Sequence, residues 1–117
     1  YPNACLEIGI FYAKGLGGLT QSYKEAFSYF KRAADKGNIP AQFNVGLYFA
    51  KGFGVEKSEE EAAKYYKLAA DRGHPNACSE IGIFYVKGIG GLIQSYEDAF
   101  KYFMLAADKG NSSAQFN

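Results

Sequence analysis

The chain has 117 residues, 48% of them apolar and 17% aromatic, enough to bury a core as one compact domain or one short repeat array. Thirteen basic and twelve acidic side chains leave a net charge of +1 with both signs scattered, which argues against a nucleic-acid surface built on clustered Lys and Arg. The apolar stretches are too short for a membrane span, and no signal peptide opens the chain. An initiator methionine is missing, so the sequence reads as a fragment or a processed product.

In chain order, apolar periodicity and end signals predict helices near residues 3–14, 23–36, 40–51, 59–72, 75–87 and 96–109. Six pairs of a basic residue followed by glycine mark their ends: Lys14-Gly15, Lys36-Gly37, Lys51-Gly52, Arg72-Gly73, Lys87-Gly88 and Lys109-Gly110. A cation favours the negative end of a helix, and glycine tolerates the left-handed position that stops it. Ser22-x-x-Glu25 and Ser58-x-x-Glu61 read as capping boxes, with Ser95-x-x-Asp98 a weaker one. Pro2, Pro40 and Pro75 fall where a first helical turn accepts proline.

The stretch KGLGGLTQSY, residues 14–23, recurs as KGIGGLIQSY at 87–96 and superficially resembles a phosphate-binding loop. Such a loop needs its lysine after the glycines, opening the next helix. Here the lysine precedes them and ends the previous helix, so the stretch reads as a corner between helices.

The elements repeat. Ala4, Ala41, Ala77 and Ala114 are spaced by 37, 36 and 37 residues, and Pro2–Asn38 matches Pro75–Asn111 at 28 of 37 positions. A single array is expected, with units at about 2–38, 39–74 and 75–111 and a partial fourth at 112–117 that repeats the AQFN of unit two. Each unit is a pair of helices, A then B. The middle corner, KGFGVEKSEE, is one residue shorter than the other two. The true building block is then the 73-residue pair of units, with Leu19 and Leu92 tucked under alternate corners.

The segment AQFNVGLYFAKGFGVEKSEEEAAKYYKLAADRG resembles the Sel1-like repeat, roughly A-x-x-x-L-G-x-x-Y-x-x-G-x-G-V followed by K-A-x-x-Y-x-x-K-A-A-x-x-G. The resemblance covers all three units and the start of a fourth. Ile8, Val45 and Ile81 replace the pattern's leucine, and Phe49 replaces the tyrosine in unit two. It implies an all-α, right-handed α/α superhelical solenoid of antiparallel helix pairs, related to tetratricopeptide repeats. Such solenoids serve as adaptors or scaffolds for other proteins.

Helix B is two-faced: in unit one Tyr23, Ala26, Phe27, Tyr29, Phe30, Ala33 and Ala34 share one arc, which predicts an outer wall with its aromatics turned inward. Helix A is apolar nearly all round, so neighbouring helices should cover most of it. By helical phase, the side left over holds Leu6, Ile10 and Ala13, then Phe43, Leu47 and Ala50, then Ser79, Ile83 and Val86, with Phe116 extending the row. Lys14, Lys51 and Lys87 border it. The functional reading is a concave, mostly apolar track that takes a partner's peptide or helix. The structural alternative is that tight curling buries these side chains on one another.

Other motifs carry little. His74 stands four residues before Cys78, but zinc normally takes three or four protein ligands. Cys5 and Cys78 lie two units apart, too far for a disulfide when helix layers are roughly 10 Å apart. Unpaired thiols favour a reducing, cytoplasmic compartment, whereas the sequon Asn111-Ser112-Ser113, expected on an exposed turn, matters only in the ER lumen or a secreted product. Ser28-x-x-Lys31 lies on a solvated helix face with no partner motifs. No cofactor and no catalysis are expected. The leading function is a protein-interaction module. The rival is structural: copies joined end to end into a filament through exposed terminal repeats.

Overall fold

The computed structural model describes the backbone of residues 2–114 and the side chains of residues 4–108. Within them lie six helices: α1 (Pro2–Lys14), α2 (Tyr23–Asp35), α3 (Ile39–Lys51), α4 (Glu59–Asp71), α5 (Pro75–Lys87) and α6 (Tyr96–Ala114). No strand occurs among the described residues. Each helix packs closely on the one before it and the one after it, giving an α/α solenoid. Its smallest dimension is 21 Å, the depth of two helix layers at about 10 Å each.

The helix starts form where local chemistry places them. Ser22, Ser58 and Ser95 accept from the backbone N–H of Glu25, Glu61 and Asp98, each at 3.1 Å. The reciprocal half of a capping box is replaced: the serine N–H groups donate to the carbonyls of Tyr12, Phe49 and Tyr85, tying each B helix to its own A helix. Asn38 Oδ1 caps α3 through Ala41 N at 2.8 Å, and His74 Nδ1 caps α5 through Ala77 N at 3.1 Å. At the other end, Gly52 takes φ 71°, open to glycine without strain, and donates to the Tyr48 carbonyl.

The sixth expected stop is absent. α6 runs through Lys109-Gly110 to Ala114, so Asn111 sits in a helix and not on a turn. At Gly37 and Gly73 the left-handed turn is held by hydrogen bonds back to the B helix and leads into a full A helix that packs. In α6 the helix instead continues through Gly110, at a cost of about 1 kcal/mol for one glycine. Phe116, assigned to the concave row, lies outside the described residues.

The core is assembled from small residues and rings. Ala26, Ala33, Ala62, Ala69, Ala77 and Ala99 are buried and let helices approach closely. One cluster joins α2, α3 and Tyr65, and a second joins α4, α5 and α6. In every unit a B-helix ring presses on the glycine midway along helix A. A Cβ on Gly9, Gly46 or Gly82 would lie 2.6 Å, 2.7 Å and 2.6 Å from Phe30, Tyr66 and Phe103 respectively. Phe30 and Tyr66 then reach onward to the next unit, edge-on to Tyr48 (5.4 Å) and Phe84 (5.6 Å). On the outer wall, the Tyr102 hydroxyl donates to Asp71 at 2.7 Å, a polar tie between successive B helices.

Tyr66 stands where the other units carry phenylalanine, and its fully buried hydroxyl has no hydrogen-bond partner. Burial, with a smaller push from Glu80, holds that phenol well above its usual range, so it stays neutral. Tyr66→Phe is therefore expected to keep or raise stability, by up to about 1 kcal/mol, because an unsatisfied buried hydroxyl is removed. Gly46→Ala should lose about 1 kcal/mol, overpacking against Tyr66 outweighing the better helix propensity of alanine. Denaturant midpoints check both; a stabilising Gly46→Ala would mean the ring is free to move.

Candidate functional site

The residues expected to line a concave track fall into two sets. Ile10, Ala13 and Lys14 of α1 meet Leu47 of α3 around a depression of about 270 Å³, whose remaining lining is Phe30, Asn44 and Tyr48. Four expected residues are thus brought together across the first joint between units. The others are placed separately. Leu6 packs, half-buried, on the first core cluster. Ser79 is half-buried, Ile83 is 38% exposed, and Lys51 and Lys87 are exposed at the ends of α3 and α5.

Phe43 differs from expectation. Its ring stacks on His74 (4.7 Å, 19° between planes) and lies 5.6 Å from Tyr66, so it serves the joint between units two and three. The neighbouring A helices also cover one another less than expected, since their closest backbone contacts run to B helices. Phe30 wedges in from α2 and floors the space between α1 and α3. Sequence reasoning missed Phe30, Asn44 and Tyr48. Asn44 was legible as the one polar residue in the middle of α3; Phe30 and Tyr48 look like ordinary core.

The depression is chemically mixed. Ile10, Ala13, Leu47 and the rings of Phe30 and Tyr48 make it apolar, while Lys14 and Asn44 add a cation and an amide. Burial, then the Tyr23 phenol, pushes Tyr48 up to about 12, so at neutral pH it is an uncharged wall. The volume falls just below the roughly 300–1,000 Å³ of small-molecule sites and suits one large side chain of a partner. A second, wholly apolar depression of about 180 Å³ lies at the end of the array, among Glu7, Ile8, Phe11 and Leu19.

The residues suspected of other chemistry are occupied. His74 Nδ1 accepts the cap N–H, and the buried Cys78 thiol donates to the Ala70 carbonyl at 3.4 Å. The corner KGLGGLTQSY is a helix connection: Ser22 caps α2, and Gln21 donates to the Ala13 carbonyl at 2.7 Å. Among the described residues no helix is long and apolar enough to cross a membrane.

His74 links the joint between units two and three to pH. Burial lowers its pKa below the ordinary 6.5, because only the neutral ring can accept the cap hydrogen bond and stack under Phe43 without a desolvated charge. The unfolded chain binds the proton more readily, so stability is complete above pH 6.5 and falls as pH drops through the folded value. His74→Asn, which copies the cap of unit two, should remove that component. Denaturant midpoints of the two proteins should diverge between pH 7 and pH 5, the wild type losing more.

The Sel1 repeat family model matches residues 2–38, 39–74 and 75–111. Among solved structures, a Sel1 repeat protein from Oxalobacter formigenes is 37% identical with a TM-score of 0.88, covering 92% of this chain and 43% of its own. The uropathogenic Escherichia coli protein c5321, a protective antigen displaying an SLR fold, is 33% identical with a TM-score of 0.89, covering 94% and 23%. Helicobacter pylori cysteine rich protein B, 24% identical with a TM-score of 0.74, covers 92% and 81% and shares the fold. The chain thus spans less than half the length of the first two. No curated protein matches it. Three consecutive matches over nearly the whole chain, on a solenoid that superposes on Sel1 repeat structures, establish that this protein belongs to the Sel1 repeat family.

Proposed function

We propose that the protein is a non-catalytic interaction module that holds a segment of another protein against the face formed by its A helices. Sel1 repeats are generally protein–protein interaction modules, which supplies the coarse function. The observation that carries the finer reading is the depression between α1 and α3, large enough for one side chain and placed where Ile10, Ala13, Lys14 and Leu47 meet. An apolar anchor of the partner enters there. Lys14, Lys51 and Lys87 repeat along one border at the ends of α1, α3 and α5, exposed and without an ion pair among the described residues. They favour acidic groups in the same segment, through contacts that steer association more than they add affinity.

Selection from a displayed random-peptide library tests the leading proposal. Enriched peptides should combine a large apolar residue with flanking acidic residues. Leu47→Ser should abolish their binding, and Lys14→Glu with Lys51→Glu, both exposed, should weaken it and flatten its salt dependence while helicity is retained. Enrichment of peptides indifferent to all three substitutions would place the binding face elsewhere.

A further inference from the structure

The two joints between units are not built alike. In the first, α2 offers Tyr23, Phe27 and Phe30 to unit two. Tyr23 stacks on Phe53 at 4.7 Å, Phe27 meets Phe49 edge-on at 5.2 Å, and Phe30 meets Tyr48 at 5.4 Å. The short corner of unit two closes directly over the start of α2, with Gly54 against the main chain of Tyr23 and Lys24. In the second joint, α4 has Glu59 and Ala63 where α2 has Tyr23 and Phe27. There the long corner of unit three comes down onto the small side chain. A Cβ on Gly90 would stand 2.8 Å from Ala63 Cβ and 2.8 Å from the Glu59 carbonyl oxygen. Ile89 and Leu92 of that corner pack on the cluster that contains Ala63. Rings on the B helix go with a short corner, and a small residue goes with a long one.

α6 carries the ring type. Tyr96, Phe100 and Phe103 stand at the places of Tyr23, Phe27 and Phe30, and they are 68%, 66% and 36% exposed. α1 and its corner are of the long type: Ile8, Phe11, Leu16 and Leu19 stand at the places of Ile81, Phe84, Ile89 and Leu92. In α5 the first two of these, Ile81 and Phe84, are buried against α4; in α1 their counterparts are 39% and 43% exposed, and Leu19 is 37% exposed against a half-buried Leu92. The two ends of the array therefore belong to different kinds of joint.

We propose that the exposed face of α6 is a docking surface for a short-corner unit of the kind formed by residues 39–74, and that it discriminates against a long-corner unit. Two observations choose this occupant. The α2–α3 joint shows the same three rings already covered by such a unit. In sequence, residues Ala114 to Asn117 read AQFN, the opening of unit two at residues 41–44 and not the ACLE or ACSE of units one and three. Discrimination follows from volume. A long corner laid on α6 would bring its glycine and its leucine onto Phe100, where α4 presents only the methyl group of Ala63, and inserting that much bulk into a packed joint is destabilising. The same mismatch applies to a second copy that presents α1, because α1 carries the long corner.

Two extensions of the full chain test this. Residues 45–74 are appended after Asn117 to complete a short-corner unit, or residues 8–38 are appended to complete a long-corner unit. The short-corner extension should raise the thermal midpoint by roughly 5 °C or more in a single transition, as a docked repeat does. The long-corner extension should raise it less. Phe100→Ala should lower the midpoint of the first and raise that of the second. Equal rises, a larger rise with the long corner, or no rise with the short corner would each overturn the proposal. So would self-association of the 117-residue chain in sedimentation velocity that disappears with Phe100→Ala, since that would seat α1 on α6.

Discussion

An aromatic ring seated against a glycine midway along helix A is the contact on which the rest of the array depends. Without a Cβ at Gly9, Gly46 or Gly82, the B-helix ring reaches the A-helix backbone and sets the distance between the two helices. Phe30 and Tyr66 also extend far enough to touch Tyr48 and Phe84 of the following unit. One side chain thus couples packing within a repeat to packing between repeats. Solenoid stability is roughly a sum of repeat and neighbour terms, and here both pass through the same ring.

That ring also shapes the surface. Because it enters from the B side, neighbouring A helices are wedged apart instead of being pressed together along their length. Between α1 and α3 the result is a depression with a ring for its floor, aliphatic walls and a lysine with an asparagine at its edge. The constraint that holds the fold thereby creates the depression on which the proposed partner binding rests. At the second joint the ring is Tyr66, accompanied by Glu80 in place of Asn44, so the two joints present different chemistry to the same face.

Difference between joints is the other consequence of the repeat. A family pattern that tolerates one residue more or less in the corner permits two ways of filling the space above the first turn of helix B. This chain uses both, rings with a short corner and alanine with a long one, in alternation. Each solution fills its volume, so neither can be exchanged for the other at one joint without leaving a gap or an overlap. Alternation gives order to an array whose first and third units are near copies.

Much of the fold was legible because its determinants are local. Serine caps, lysine–glycine stops and prolines in first turns act within a few residues, and the 36- and 37-residue spacing of alanines and glycines follows from them. The alternate corners were legible too: Leu92 is half-buried beneath its corner, and Leu19 is 37% exposed. Helical phase put Ile10, Leu47 and Ile83 on one side of helix A, where none of the three is fully buried. It did not decide which of those residues meet. Phe43 shares that phase yet turns to His74, because the cap of the next A helix arrives beside it only once the units are stacked. Phe30 floors the depression because of where α3 lies, not because of anything in α2. The stop at Lys109-Gly110 is not used, and α6 runs on to Ala114. By itself, then, the sequence determined where helices begin, how they repeat and which faces are apolar, all properties of spacing along one chain. Tertiary structure alone decided which side chains face each other across a joint, because that depends on the volume left between helices far apart in sequence.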